Sequence, residues 1–271
     1  MPKSAAVPPA PSASPSGVPS ASLTARERVR RELTSEIKET ALAQLASGGG
    51  GALSLRAIAR EMGMSSSALF RYFHNRDALL TELIIDSYTS LAEVAEAAED
   101  RVHQESIEAR WVAICHGVRG WAVAHPHEYA LIFGSPIPGY AAPPGTIAPA
   151  SRVPLLLGDL LGDLMSERSY DTGEHPEPPA AVQRAIDPVR PMMPEVVPSD
   201  LIVRGLMAWT YLFGAVSFEV FGHRHNVILD HQVFFDHEVR RLARMVGLVW
   251  DPASAPDGHD RGVITTRLDV N

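Results

Sequence analysis

Residues 54–77 read SLRAIAREMGMSSSALFRYFHNRD, and the fold of the whole chain turns on them. Leu55, Ile58, Ala59 and Met62 recur every three or four positions, which sets them along one side of a short helix. Ser54 stands just ahead of that side, where its hydroxyl can accept from a free backbone N–H of the first turn. Gly63 ends the helix, since the residue beyond a helix often takes a positive φ that glycine adopts without steric cost. After the turn Gly63-Met64-Ser65, Ser65 can cap a second helix running through Leu69, Phe70 and Tyr72. Helix, glycine turn and helix make a helix-turn-helix unit, whose second helix enters a DNA major groove. The rival, an ordinary loop between core helices, requires cap, stop, turn and second cap to coincide by accident.

The outward residues of the second helix suit that use. Ser65, Ser66 and Ser67 are short donors at its start, where free N–H groups and the helix dipole favour phosphate. Arg71 and Tyr72 add a guanidinium and a phenol. Asn75 and Arg76 open a third helix. A cation at a helix start opposes the dipole, so Arg76 points to an anion outside the chain.

The run LSLRAIAREMGMSSSALFRYFHNRDALL, residues 53–80, resembles the N-terminal DNA-binding domain of TetR-type transcriptional regulators. LSLRAIA, GMSSSALF and RYFHNRDALL carry the likeness. Two positions depart from the usual pattern. Phe70 replaces the first aromatic of a Tyr-x-Tyr-Phe run and lacks its hydroxyl, and Arg76 replaces a lysine but keeps the charge. The resemblance implies that Ser54 and Arg56 touch the DNA backbone. It implies that Ser65, Ser66, Ser67 and Arg71 face bases, while Tyr72, His74 and Arg76 grip phosphate.

At 271 residues the chain can hold one large or two modest domains. Its one cysteine, Cys115, excludes an internal disulfide and suits a reducing cytoplasm. The formal charge of −8 is unevenly spread. Residues 23–80 hold nine Lys and Arg against six Asp and Glu, and Lys3 is the sole charge in residues 1–22, so residues 81–271 carry −12. Screening confines surface fields to roughly 8–10 Å, so a basic head on an acidic body can still bind phosphate. No secretory signal is expected at the N-terminus. The most apolar run, Gly205–Phe218, is 14 residues, short of the ~20 that cross a bilayer, which predicts a buried helix and no membrane association.

Residues 1–22, almost all Pro, Ala and Ser, are expected to form a disordered arm. Thr24 and Glu27 make a capping box for the first helix, whose stripe is Val29, Leu33, Ile37, Ala41 and Leu45. Arg26, Arg28, Arg30 and Arg31 read either as a solvated surface or as a basic segment along the DNA backbone. The DNA-binding head spans 23–80. A long helix from Arg76 to about Glu99 leads into an α-helical body, 81–250, and residues 251–271 form an expected disordered tail. In the body, helices are predicted over Glu105–Ala124 and from Pro126 to a stop at Gly134. Ser135–Ala150 holds five prolines and reads as a long loop. Val153–Met165 reads as a helix with Pro154 in its first turn. Residues 169–198 are again Pro-rich. Ser199 is expected to cap a strongly apolar helix to about Gly222, and Asp230 a last one to Val246. The expected class is all-α, with a three-helix head and a helical body for effector binding and dimerisation.

Trp209 and Phe213-Gly214 resemble the Trp-x-x-x-His-Gly pattern of one TetR C-terminal class, with Phe213 in the histidine position. That likeness implies a homodimer through the last two helices, consistent with a helix apolar nearly all round over Leu201–Phe221. Trp111, Cys115, Tyr129, Phe133, Met207 and Tyr211 either fill the core or line an effector cavity. His223, His225, His231 and His237 lack a ligand spacing, so no metal and no cofactor are expected. No nucleophile–base motif suggests an enzyme. The expected function is a cytoplasmic, homodimeric regulator reading a palindromic operator, a repressor released by a small apolar effector. Its alternative is a constitutive or protein-partner-controlled DNA-binding dimer.

Overall fold

A computed structural model describes residues 24–48, 53–166 and 176–248. The expected arm over 1–22, most of the glycine run and the tail over 251–271 lie outside the described residues. The elements in order are α1 (Ala25–Gly48), α2 (Leu55–Glu61), α3 (Ser66–Leu69), α4 (Arg76–Asp100) and α5 (Ile107–Ala124). They are followed by α6 (Pro126–Phe133), α7 (Ile147–Ser166), α8 (Ala180–Ala185), α9 (Ser199–Val220) and α10 (His231–Met245). No β-strand occurs among the described residues, and the fold is all-α.

Local chemistry explains most of the boundaries. Thr24 and Glu27 close their capping box, Thr24 N–H giving to the Glu27 carboxylate at 2.8 Å and Glu27 N–H to the Thr24 hydroxyl at 3.3 Å. The Asn75 side chain accepts from Ala78 N–H at 2.7 Å to start α4, and Asp230 accepts from Val233 N–H at 3.0 Å to start α10. Gly134 closes α6 by giving its N–H to the Ala130 carbonyl, at a position with room only for glycine. A Cβ there would lie 2.2 Å from the Ala130 carbonyl oxygen.

The side chains sort into two cores. The head core gathers Ile37, Ala41, Ile58, Leu69, Phe73 and Leu80, and the body core is built on Trp111, Ile114, Tyr129, Leu160, Leu212 and Phe235. One helix serves both. The first turns of α4 place Leu79, Leu80 and Leu83 in the head, and its later turns place Leu91, Ala92 and Ala95 in the body. Ion pairs brace it on both sides: Lys38 of α1 reaches Glu82 and Asp86, and Arg152 of α7 holds Glu96.

Three expectations need correction. Ser135–Ala150 is not all loop: a 3-10 turn at Pro144–Thr146 leads into α7 at Ile147, so Pro154 sits inside that helix rather than in its first turn. Proline offers no N–H to the Ala150 carbonyl, a loss the helix tolerates while its inner face is buried. Ser199 makes no capping hydrogen bond; α9 starts after Pro198, with Asp200 in the first turn and paired to Arg204 at 2.7 Å. The span of α9 is close to the one expected, but the 14-residue length of its apolar run is no bar to crossing a bilayer, because the run lies within the longer helix. At 22 residues, with a mean hydropathy of 1.5 over its most apolar 18-residue stretch, it is long and apolar enough to cross a membrane. Here its inner face is buried in the body, and its Glu219 pairs with Arg119 of α5 at 2.6 Å.

Candidate nucleic-acid interface and body cavity

Two hydrogen bonds close α2: Met64 N–H gives to the Ala59 carbonyl at 2.8 Å and Gly63 N–H to that of Arg60 at 3.2 Å. This double closure needs a left-handed residue, and Gly63 supplies it at φ +65°. Ser54 caps α2 through Ala57 N–H at 3.4 Å, and Ser65 caps α3 through Ala68 N–H at 3.2 Å. Regular helix in α3 is brief. Beyond Leu69 the chain continues in tight turns, Arg71 N–H to Ala68 and Tyr72 N–H to Leu69, rather than as the longer helix the spacing suggests.

Leu69 and Phe73 anchor this segment in the head core, so the opposite side faces out. Ser65, Ser66, Ser67, Phe70 and Arg71 are exposed there, and Arg56, His74 and Asn75 are exposed beside them. Ser54, Tyr72 and Arg76 are half-buried. Arg76 has a partner within the chain, Asp77 at 3.6 Å. The spacing gives no hint that Arg30 of α1 stacks its guanidinium 5.5 Å from the Tyr72 ring centre. One of the four early arginines is thereby brought beside the recognition segment.

The six side chains expected around an effector do not form one cavity. Met207 and Tyr211 are exposed on the outer side of α9. Each stands two residues from Trp209, about 200° around a helix, so neither can share its inward direction. Cys115 is fully buried in the core, where burial pushes its thiol far above the ordinary value. Tyr129 is buried too, and its hydroxyl donates to the Phe213 carbonyl at 3.0 Å. Desolvation raises that phenol to about 12. Phe133 borders a groove of about 690 Å³ between Leu45 of the head and Phe221 of the body.

Only Trp111 of the six lines the apolar cavity, about 260 Å³, enclosed by α5, α7, α9 and the segment around Met193. Glycines make the room: a Cβ on Gly158 would lie 2.7 Å from the Met193 methyl. Glycines inside α7 and α9 are the available sequence signal for this void. Trp209, on its wall, begins a chain of aromatic contacts. Ring centres are 5.9 Å apart for Trp209–Phe213, 4.5 Å for Phe213–Phe133 and 6.0 Å for Phe133–Tyr88, which ends on α4. Among the described residues no three His, Cys, Asp or Glu side chains converge as metal ligands.

Residues 37–83 match the family described as bacterial regulatory proteins, tetR family, and residues 111–242 match the tetracyclin repressor-like C-terminal domain. The HTH-type transcriptional regulator Rv1816 of Mycobacterium tuberculosis is 35% identical over 225 residues, covering 82% of this chain and 95% of that protein. The solved structure of the protein SCO4313 shares 35% identity at a TM-score of 0.67 and covers 81% of this chain and 98% of that one. A tetR-family regulatory protein from Rhodococcus RHA1, 14% identical, shares the fold at a TM-score of 0.56 over 80% of this chain and 97% of its own.

Proposed function

The chain belongs to the TetR family of bacterial regulatory proteins, DNA-binding regulators of transcription and not enzymes, and from that premise we propose a cytoplasmic, homodimeric repressor that a small apolar effector releases from a palindromic operator. Ser65, Ser66, Ser67 and Arg71 face the bases. Arg56, Tyr72, His74 and Arg76 lie along the phosphates, with Ser54 and Ser65 capping the helices that carry them.

Dimerisation is supported by an apolar stripe on the last two helices. Met207, Tyr211 and Phe218 of α9, Phe221 at its C-cap, and Val233 and Phe234 of α10 are all exposed in the single chain. A two-fold partner placed on that stripe covers it with its own copy and presents two recognition segments about 34–36 Å apart.

The observation that carries the ligand-responsive reading is the sharing of α4 between the two cores. A body ligand that prefers one placement of α4 shifts the spacing of the heads by its differential affinity for the two arrangements. Selection of bound DNA from a random pool tests the reading. An inverted repeat with half-sites one helical turn apart, bound by a dimer in sedimentation, is the expected outcome. Enrichment of a lone half-site by a monomer would overturn it. A thermal-shift screen of apolar compounds then tests release, since an effector at about 100 times its Kd adds about 2.7 kcal/mol.

A further inference from the structure

We propose that the cavity between α5, α7 and α9 binds a neutral, compact, apolar molecule of one or two rings that carries a hydrogen-bond acceptor, and that this acceptor takes the indole N–H of Trp209. This assignment rests on the effector reading above and adds the chemistry of the ligand.

Four observations lead to it. The wall contains no titratable side chain. A carboxylate or ammonium drawn inside would lose its hydration without a counter-charge, so the ligand is neutral. The volume, about 260 Å³, falls between the ~150 Å³ of a cavity that takes benzene and the ~300 Å³ where drug-sized sites begin. Met192 and Met193, unbranched thioethers on one side, let the wall adjust to shape.

The two indoles of the wall supply the fourth observation. Trp111 Nε1 is satisfied, donating to the Val239 carbonyl at 3.0 Å. Trp209 is half-buried as a residue, but its Nε1 is out of solvent and meets no acceptor among the described residues. An indole N–H can only donate. A buried donor left without a partner is costly, and a ligand that supplies the missing oxygen recovers that loss on binding. A hydrocarbon of the same shape leaves it unpaired.

The test uses the purified full chain and three probes of similar size: acetophenone, ethylbenzene and benzoate, titrated by calorimetry. Acetophenone is expected to bind about tenfold tighter than ethylbenzene, and benzoate not measurably. Trp209→Phe should abolish that preference, so that ketone and hydrocarbon bind alike whatever change the smaller ring makes to both. In the unmutated, 15N-labelled protein, which has four tryptophans, the Trp209 indole resonance should move with acetophenone and far less with ethylbenzene. Equal affinities for ketone and hydrocarbon, an unmoved indole resonance, tighter binding of benzoate, or binding of none of the three would each overturn the assignment. A probe that binds as described yet leaves operator affinity unchanged sinks the effector reading and leaves the site standing. A compound that releases DNA but is indifferent to Trp209→Phe does the reverse.

Discussion

The hydroxyls of Thr81 and Tyr140 lie 3.0 Å apart, joining the second turn of α4 to the proline-rich strap that follows α6. Thr81 already gives its proton to the Asp77 carbonyl at 2.8 Å, so Tyr140 is the donor. Ile137 and Tyr140 pack against the head core from the same strap, which ties α6 to the DNA-reading unit. Tyr140→Phe removes one hydrogen bond between half-buried groups and should cost about 1 kcal/mol. Urea unfolding should show a lower midpoint at an unchanged slope. An unchanged midpoint would mean that water replaces the contact at no loss.

Two glycines should fail differently when replaced. Gly63 sits at φ +65°, and a Cβ added there would have nothing within 4 Å, so Gly63→Ala costs only backbone conformation, about 1–2 kcal/mol. Gly134 has φ −85°, open to any residue, but its Cβ would meet a backbone carbonyl at 2.2 Å. Gly134→Ala should therefore cost about 3 kcal/mol, the upper end for overpacking. Asparagine separates the two causes, since it tolerates left-handed backbone. Gly63→Asn should recover most of the loss in thermal unfolding, and Gly134→Asn none of it.

Stability should fall in acid through Glu99. Burial alone would raise its carboxyl, but His103 Nδ1 at 2.9 Å and Arg110 Nε at 2.5 Å outweigh burial and hold it below its ordinary value of 4.5. A folded value below the unfolded one stabilises the protein fully above pH 4.5, and that share vanishes as pH drops through the folded value. Glu99→Gln should lower stability at neutral pH and flatten the acid limb when unfolding is followed down to about pH 3. An acid limb of undiminished steepness in the variant would move the cause to other carboxylates, Asp236 first, which Arg240 and His116 hold low against its own desolvation.

Cys115 should be silent toward thiol reagents. Its side chain is fully buried, and desolvation disfavours the thiolate that reacts. Labelling by an aromatic disulfide should track global unfolding across a urea series. Rapid labelling of the native protein would reveal an opening of α5 that the packing of Trp111 and Ile114 does not suggest.

The recognition unit is legible in the sequence because its signals are local. A cap such as Ser65 and a stop such as Gly63 act within four residues, and both stand where their chemistry puts them. The apolar cavity is not legible, because a cavity is a property of several helices at once. Aromatic character cannot separate Trp111, on the wall, from Tyr129, committed to the Phe213 carbonyl. Met207 and Tyr211 are a different matter. Their offset from Trp209 on one helix already turns them toward the opposite side. The start of α7 is hidden for another reason: proline ordinarily prefers a first turn, and tertiary burial of Val153 and Leu157 overrides that preference at Pro154.

Arg30 and Arg71 both lie at the head surface, and their replacement should separate reading from gripping. Arg71 stands on the outer side of the recognition segment, where a guanidinium can meet base edges. Arg71→Ala should cost about 1–3 kcal/mol on the preferred operator and relax the preference at one position. Arg30 stacks on Tyr72 at the margin of that surface. If it follows phosphate, Arg30→Ala weakens all duplexes alike and lowers the slope of log affinity against log salt by about 1. Fluorescence anisotropy on matched and scrambled duplexes over a salt series measures both. A slope unchanged by Arg30→Ala returns Arg30 to the solvated surface, whereas a reduced slope with intact sequence preference makes it part of the backbone grip that Tyr72 alone cannot supply.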